Sequence, residues 1–343
     1  MEKRTYIPFT EEMKREYTIL IPTMLPMHFK LIASVLRTYG YRMEVLENSG
    51  PEVAETGLKY VHNDTCYPAI LVIGQFLTAL NSGRWDPHKT ALILFQTGGG
   101  CRASNYISLL RKALERAGFG YVPVISFSLA GIEKHPGFRL TVPMLHGMLY
   151  GVLYGDLLMS LVNQCRPYEL LQGEAQKLAD KWTERLGKEL GAGRRISYGR
   201  VKENYRTILR SFAEIPRRRK DTVKVGIVGE IFVKYSPLGN NDLETFLVGE
   251  DAEAVVPGLL DFCMYCAYNN IEDFLLYGRS PVAHAVYRVA YRFLCKKKHD
   301  LIDAIREEGS FTPPTPFENV VALTKGYIGI GTKMGEGWLL PAE

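Results

Sequence analysis

The chain has 343 residues, 46% hydrophobic and 23% charged, which excludes a disordered chain, a collagen-like repeat and a small disulfide scaffold. Lysine and arginine number 42 against 37 aspartates and glutamates, and a net charge of +5 is too mild to mark a nucleic-acid binder. Six cysteines behind the charged start Met1-Glu2-Lys3-Arg4, with no signal-peptide pattern, predict a reducing cytoplasm in which cysteines are buried fillers, reactive thiols or ligands.

In chain order, Tyr17–Leu25 reads as a buried strand and Phe29–Tyr39 as a helix stopped by Gly40. Arg42–Glu47 reads as a short strand, and Cys66–Leu80 as a helix with Pro68 in its first turn, where the missing N–H costs nothing. Ala91–Phe95 is the continuous apolar run of a parallel strand covered on both faces. A glycine-rich turn, Gln96–Gly100, leads into a helix over Ser104–Ala117, and Val122–Phe127 is the next strand. This alternation predicts βαβ units and an open, mostly parallel sheet.

The segment from about Pro143 to Ala213 has helical periodicity, and the basic run Arg217–Lys220 marks a polar boundary. Beyond it Val223–Gly229 restarts an α/β pattern, with a helix over Asp242–Gly249, a short strand near Ala254–Val256, a helix from Leu259 and a strand over Lys325–Ile330. The expected architecture is therefore α/β: two parallel-sheet lobes, residues 1–142 and 221–343, with a helical segment and linker over 143–220. The second lobe would be short of strands, as in an incomplete segment.

Pro143–Val162 is long enough for a membrane span, and Gly147, Gly151 and Gly155 fall on one face. His146 and Asp156 inside it oppose insertion, since an Asp near a span's centre costs about 2.5–3.5 kcal/mol, so a buried helix and no membrane are expected.

There is no phosphate-cradling G-x-x-x-x-G-K-[ST], no G-x-S-x-G elbow and no H-E-x-x-H pair. Chemistry instead points to two cysteines. Cys66 opens a helix, and Cys101 stands after a strand and three glycines, where the loops of a parallel sheet gather and ligands bind. Helix N-termini favour the thiolate, the form that binds metal or attacks electrophiles, and consecutive glycines let a bulky ligand approach. Packing at helix starts is the plain alternative, and a zinc or thiol-redox site a further one.

The segments NDTCYPAILVIGQ, QTGGGCRASNYI, PVISFSLAGIEKHPGF, VGIVGEIFVKYSPLGNNDL and GEGWLLPAE together resemble the 2-hydroxyacyl-CoA dehydratase family, and more closely the carboxy-terminal part of its large members fused to an activase module. The resemblance runs from about Phe9 to Glu343. It implies flavodoxin-like lobes whose loop cysteines, here Cys66 and Cys101, hold an iron–sulfur cluster of [4Fe-4S] or double-cubane type. It also implies an ATP-dependent activase partner with its own iron–sulfur cluster, which delivers one electron at low potential. The dehydratase cluster passes it to an acyl-CoA thioester, and the resulting ketyl radical anion expels the 2-hydroxyl group; related members reduce other small molecules. In the family a further cysteine-bearing segment follows the stretch matching GEGWLLPAE. This sequence has neither that segment nor the activase.

Arg102, Ser104 and Asn105 crowd the glycine loop, where they would either hydrogen-bond cluster or substrate or cap the helix. Glu230, Lys234, Ser236 and Asn240 follow a strand of the second lobe and would face substrate, or form an ordinary solvated loop. Cys263 and Cys266 form a C-x₂-C inside a helical pattern, where at i and i+3 they could face one ligand but default to core positions; Cys165 and Cys295 default to packing or incidental positions. His62 and Asp64 are acid–base candidates, and Arg217–Lys220 could meet the phosphates of coenzyme A; nucleic acid is not expected. The expected function is thus the anaerobic iron–sulfur component of a dehydratase-type lyase or reductase, a dimer or part of a larger complex. The alternative is a non-catalytic scaffold within a larger assembly.

Overall fold

In the computed structural model, which describes residues 6–96, 101–128, 133–193, 196–218, 220–278 and 280–343, helices and parallel strands alternate as an α/β chain. The elements are α1 (Glu11–Glu16), β1 (Thr18–Ile21), α2 (Pro26–Thr38), β2 (Arg42–Val45), α3 (Pro51–Tyr60), α4 (Tyr67–Asn81), β3 (Thr90–Phe95), α5 (Tyr106–Arg116) and β4 (Val124–Phe127). Three long helices follow, α6 (Val142–Cys165), α7 (Glu174–Leu190) and α8 (Tyr198–Ala213). The remainder comprises β5 (Lys224–Gly226), α9 (Ile231–Tyr235), α10 (Pro237–Asn240), α11 (Leu243–Gly249), β6 (Glu253–Val255), α12 (Leu259–Tyr277), α13 (Pro281–Glu308), α14 (Phe317–Leu323) and α15 (Leu339–Ala342).

The chain divides into two compact units. The first holds Met1–Met148 with Gly191–Gly193 and Tyr235–Asn241; the second holds Leu149–Leu190, Arg194–Lys234 and Asp242–Glu343. In the first, four parallel strands run in the order β2-β1-β3-β4, with Ile19 beside both Met43 and Ala91 and Ile93 beside Ile125. This is the strand order of a flavodoxin-like lobe, and its crevice opens at the carboxyl ends of β1 and β3. Thr90–Leu94 of β3 are all buried, as a central strand covered on both faces requires. Pro22 has no N–H to give a neighbour and ends β1 sooner than the apolar run Tyr17–Leu25 suggested. Gly40, at φ +84, provides the expected left-handed stop after α2.

Helix α3 was not anticipated, because PEVAETGLKY is polar and interrupted by Gly57. That glycine is what lets α3 and α4 touch. A Cβ on Gly57 would stand 2.1 Å from the carbonyl oxygen of Ile70, and one on Gly74 would stand 1.9 Å from that of Val53. Backbone thus meets backbone at the crossing, which holds α4 in place.

In the second unit, the core centres on Trp338, fully buried, with its ring beside Tyr265, Tyr268 and Phe317 and its Nε1 donating to Asn269 Oδ1 at 2.8 Å. Its sheet has two described strands, the parallel pair β5-β6. Lys325–Ile330, expected as a strand, is instead a series of turns in which the N–H groups of Tyr327 and Ile328 donate back to Thr324 O. Gly326, at φ +86, bends the chain there, and among the described residues no strand pairs with this stretch. Among the described residues α6 alone is long and apolar enough to cross a membrane, and 67% of its most apolar stretch is buried. Asp156, within α6, accepts the N–H groups of Leu259 (2.7 Å) and Leu260 (3.0 Å) and so caps α12.

Candidate functional site

Cys66 occupies the N-cap position of α4, with Pro68 in the first turn behind it. Cys101 occupies the same position before a single 3₁₀ turn, Arg102–Asn105, that leads into α5. Two contacts across a long stretch of sequence put these turns together at the carboxyl end of β3. The Arg102 guanidinium donates to Asp64 O at 3.3 Å, and the Tyr106 hydroxyl donates to Cys66 Sγ at 3.1 Å. Both cysteines are half-buried and unpaired.

Two glutamine amides brace the surroundings, Gln75 buried and Gln96 half-buried. Gln75, on α4, gives Nε2 to Asn48 O and accepts from Thr23 N and Asn48 Nδ2 at Oε1 and its backbone oxygen, so the loops after β1 and β2 are tied to the helix that Cys66 begins. Gln96, at the end of β3, gives Nε2 to Ser104 O at 2.8 Å and accepts the Ser126 hydroxyl at 2.6 Å, tying the Cys101 turn to β4. Ser104 closes its turn by donating Oγ to Cys101 O at 2.8 Å, the turn-capping role rather than an outward-facing one. Asn105 is exposed and makes no side-chain cap. The glycines Gly98–Gly100, expected beside Cys101, lie outside the described residues.

These residues fit a soft metal or cluster in part. Two reachable thiols flank one corner of the crevice, one at the positive end of a 15-residue helix and already accepting an O–H bond, as a thiolate or cluster-bound sulfur would. Among the described residues no group of three His, Cys, Asp or Glu gathers closely enough to hold a metal ion, so the two cysteines have no described third partner for one.

The remaining candidates have other tasks. Lys234 is buried in the second unit and gives its ammonium to both carboxylate oxygens of Glu343, at 2.7 and 3.0 Å. Glu230 accepts Val233 N at 2.9 Å, and burial, followed by the charge of Glu336, raises its carboxyl above the usual range. Glu336 itself accepts Ile231 N at 2.6 Å, so the stretches VGIVGEIFVKY and GEGWLLPAE meet as partners in the second unit's framework. Ser236 and Asn240 belong to the first unit, where α10 packs on α4; Ser236 is fully buried, and its Oγ has no hydrogen-bond partner among the described residues.

His62 accepts Asp64 N, and both side chains are solvated. Cys165 and Cys295 are buried, and that burial pushes their thiols up to about 12 and about 11. Cys263 and Cys266, expected in the core, present surface to solvent. Crowding around them nonetheless pushes both thiols up, with Glu336 adding to the effect at Cys266, which reaches about 12. In the basic run, Arg217 stacks over Phe311 and Lys220 pairs with Asp251 at 2.6 Å; with Arg218 they line an open groove beside Tyr168, Lys224 and Glu253.

Sequence reasoning missed Tyr106, Gln75 and Gln96 as parts of the site. The signal for Gln75 was available, since one amide inside the apolar helix AILVIGQFL has to find buried partners. Tyr106 carried no such signal; only the fold brings it to a sulfur 40 positions away. No family model, curated protein or solved structure matches this chain.

Proposed function

We propose that the chain is the iron–sulfur component of a system resembling the 2-hydroxyacyl-CoA dehydratases, with Cys66 and Cys101 as cluster ligands. The observation that carries this reading is the joining of the two cysteine turns through Arg102–Asp64 and Tyr106–Cys66 at the open end of a flavodoxin-like sheet. A cluster held there would supply one-electron transfer to a thioester or another small substrate. The chain's own residues would do the rest. The thiols would bind, the Tyr106 hydroxyl would hydrogen-bond the Cys66 sulfur, and the Gln75 and Gln96 braces would keep both turns in place. Electrons would come from an ATP-dependent activase, and acyl-CoA is the substrate class the resemblance suggests. Six unpaired cysteines are in keeping with a reducing, cytoplasmic setting.

The test is anaerobic reconstitution with iron and sulfide, followed by metal and sulfide quantitation. The expected product is brown and oxygen-sensitive, and Cys66→Ala or Cys101→Ala should lose most of the iron while keeping the far-ultraviolet circular dichroism of the parent. A chain that remains colourless and iron-free would overturn the reading and leave the scaffold alternative.

A further inference from the structure

Helix α13 changes character halfway along. Its carboxyl half buries Leu301, Ile302 and Ile305 together with Lys297 and Lys298, whereas no residue of its first half is buried and its valines face solvent. His284 lies against the Phe274 ring at 4.4 Å and Tyr291 against Tyr268 at 5.4 Å, so this side faces α12. On the opposite side, Val282, Val286, Val289 and Phe293 are 74%, 61%, 69% and 40% exposed. Their spacing of four, three and four is the d-a-d-a seam of a coiled coil, and Ala283, Ala285 and Ala290 beside it leave room for another backbone to come close.

We propose that this face pairs with the same face of a second copy of the chain, the two helices antiparallel about a two-fold axis between Tyr287 and Arg288. The seam is self-complementary only in that direction. Antiparallel pairing sets Phe293 against Val282 of the second copy and Val286 against Val289, large beside small and a-type beside d-type positions. It also sets Arg292 against Ala283. Parallel pairing would crowd Phe293 against Phe293 and Arg292 against Arg292, with like charges opposed. The four exposed side chains and the alanines beside them open a few hundred Å² on each copy, so a pair falls below the ~1,200 Å² of stable interfaces, in the range of weak, concentration-dependent association. Isologous two-fold pairing is the arrangement such a seam forms at least cost in geometry.

Analytical ultracentrifugation of the full chain from about 5 to 200 µM tests this. The expected result is a concentration-dependent shift from one chain to two. Val289→Glu and, separately, Val286→Lys should abolish it, both keeping the parent's circular dichroism because these side chains project into solvent. Direction has its own readout. Under mild oxidation the double variant Val282→Cys, Phe293→Cys should form dimers linked between positions 282 and 293, mapped by mass spectrometry, whereas Val282→Cys alone should not link to itself. A chain that stays monomeric at about 200 µM would overturn the proposal and leave the face to a different protein or a membrane surface. So would a dimer indifferent to both charged variants, or a 282–282 link.

Discussion

The Tyr106 hydroxyl donates a 3.1 Å hydrogen bond to the sulfur of Cys66, although the two residues start different helices on opposite sides of β3 in the sequence. Tyr106 is nearly buried, so its ring is held by the first unit's core while only its oxygen reaches the thiol. Tyr106→Phe keeps that packing and deletes one bond. The variant should fold with a loss of about 1 kcal/mol or less. In the reconstituted protein, losing a donor to sulfur should make the midpoint potential more negative by tens of millivolts, read by redox titration with electron paramagnetic resonance. An unchanged potential would mean that the Cys66 sulfur is not a ligand.

The α3–α4 crossing should be among the most sensitive points of the first unit. Gly74→Ala would force a methyl group to 1.9 Å from a backbone oxygen that has no rotamer to escape into. The expected destabilisation is about 3 kcal/mol or more, measured by urea unfolding. Gly199→Ala, in the first turn of α8 with no atom within 4 Å of the new carbon, serves as the control and should be neutral or stabilising by up to about 1 kcal/mol.

Asp156 bears on the second unit in the same way. Replacing it by Ala leaves the N–H groups of Leu259 and Leu260 buried without an acceptor, and a loss of about 2–4 kcal/mol is expected. Asp156→Asn retains one oxygen and should lose less. Equal losses in the two variants would show that packing, not capping, sets the cost.

Glu230 makes stability depend on pH in a stated direction. Burial and the charge of Glu336 raise its folded carboxyl, so across the window above the ordinary carboxylate range the folded chain holds this proton more tightly than the unfolded one. Its contribution is therefore full at low pH and is lost as pH rises through the raised folded value. Glu230→Gln removes the titration. The variant's midpoint of thermal unfolding, relative to the parent, should climb between about pH 5 and pH 8, and a flat difference over that range would refute the assignment.

Particular stretches explain how far the sequence could be read. Ala91–Phe95 identified itself, because a parallel strand buried on both faces has to be apolar throughout, and Cys66 and Cys101 identified themselves by standing where a helix begins. Lys325–Ile330 misled, because an alternating pattern records a preference for extended chain and says nothing about whether a sheet edge is there to receive it. Helix α3 was invisible for the reverse reason. Its stability rests on a backbone contact at Gly57, a residue that lowers helix propensity.

What the sequence determined alone is local: the periodicity of each element, the caps and stops, and the cysteine pair at two helix starts. The tertiary structure decided which loops became neighbours. Arg102 reaches Asp64, Tyr106 reaches Cys66, and Glu336 and Glu343 commit Ile231 and Lys234 to the framework of the second unit. The physical reason is range. Periodicity and capping act within a few residues, whereas a hydrogen bond between residues 40 or 100 positions apart exists only after the whole core has closed around its partners.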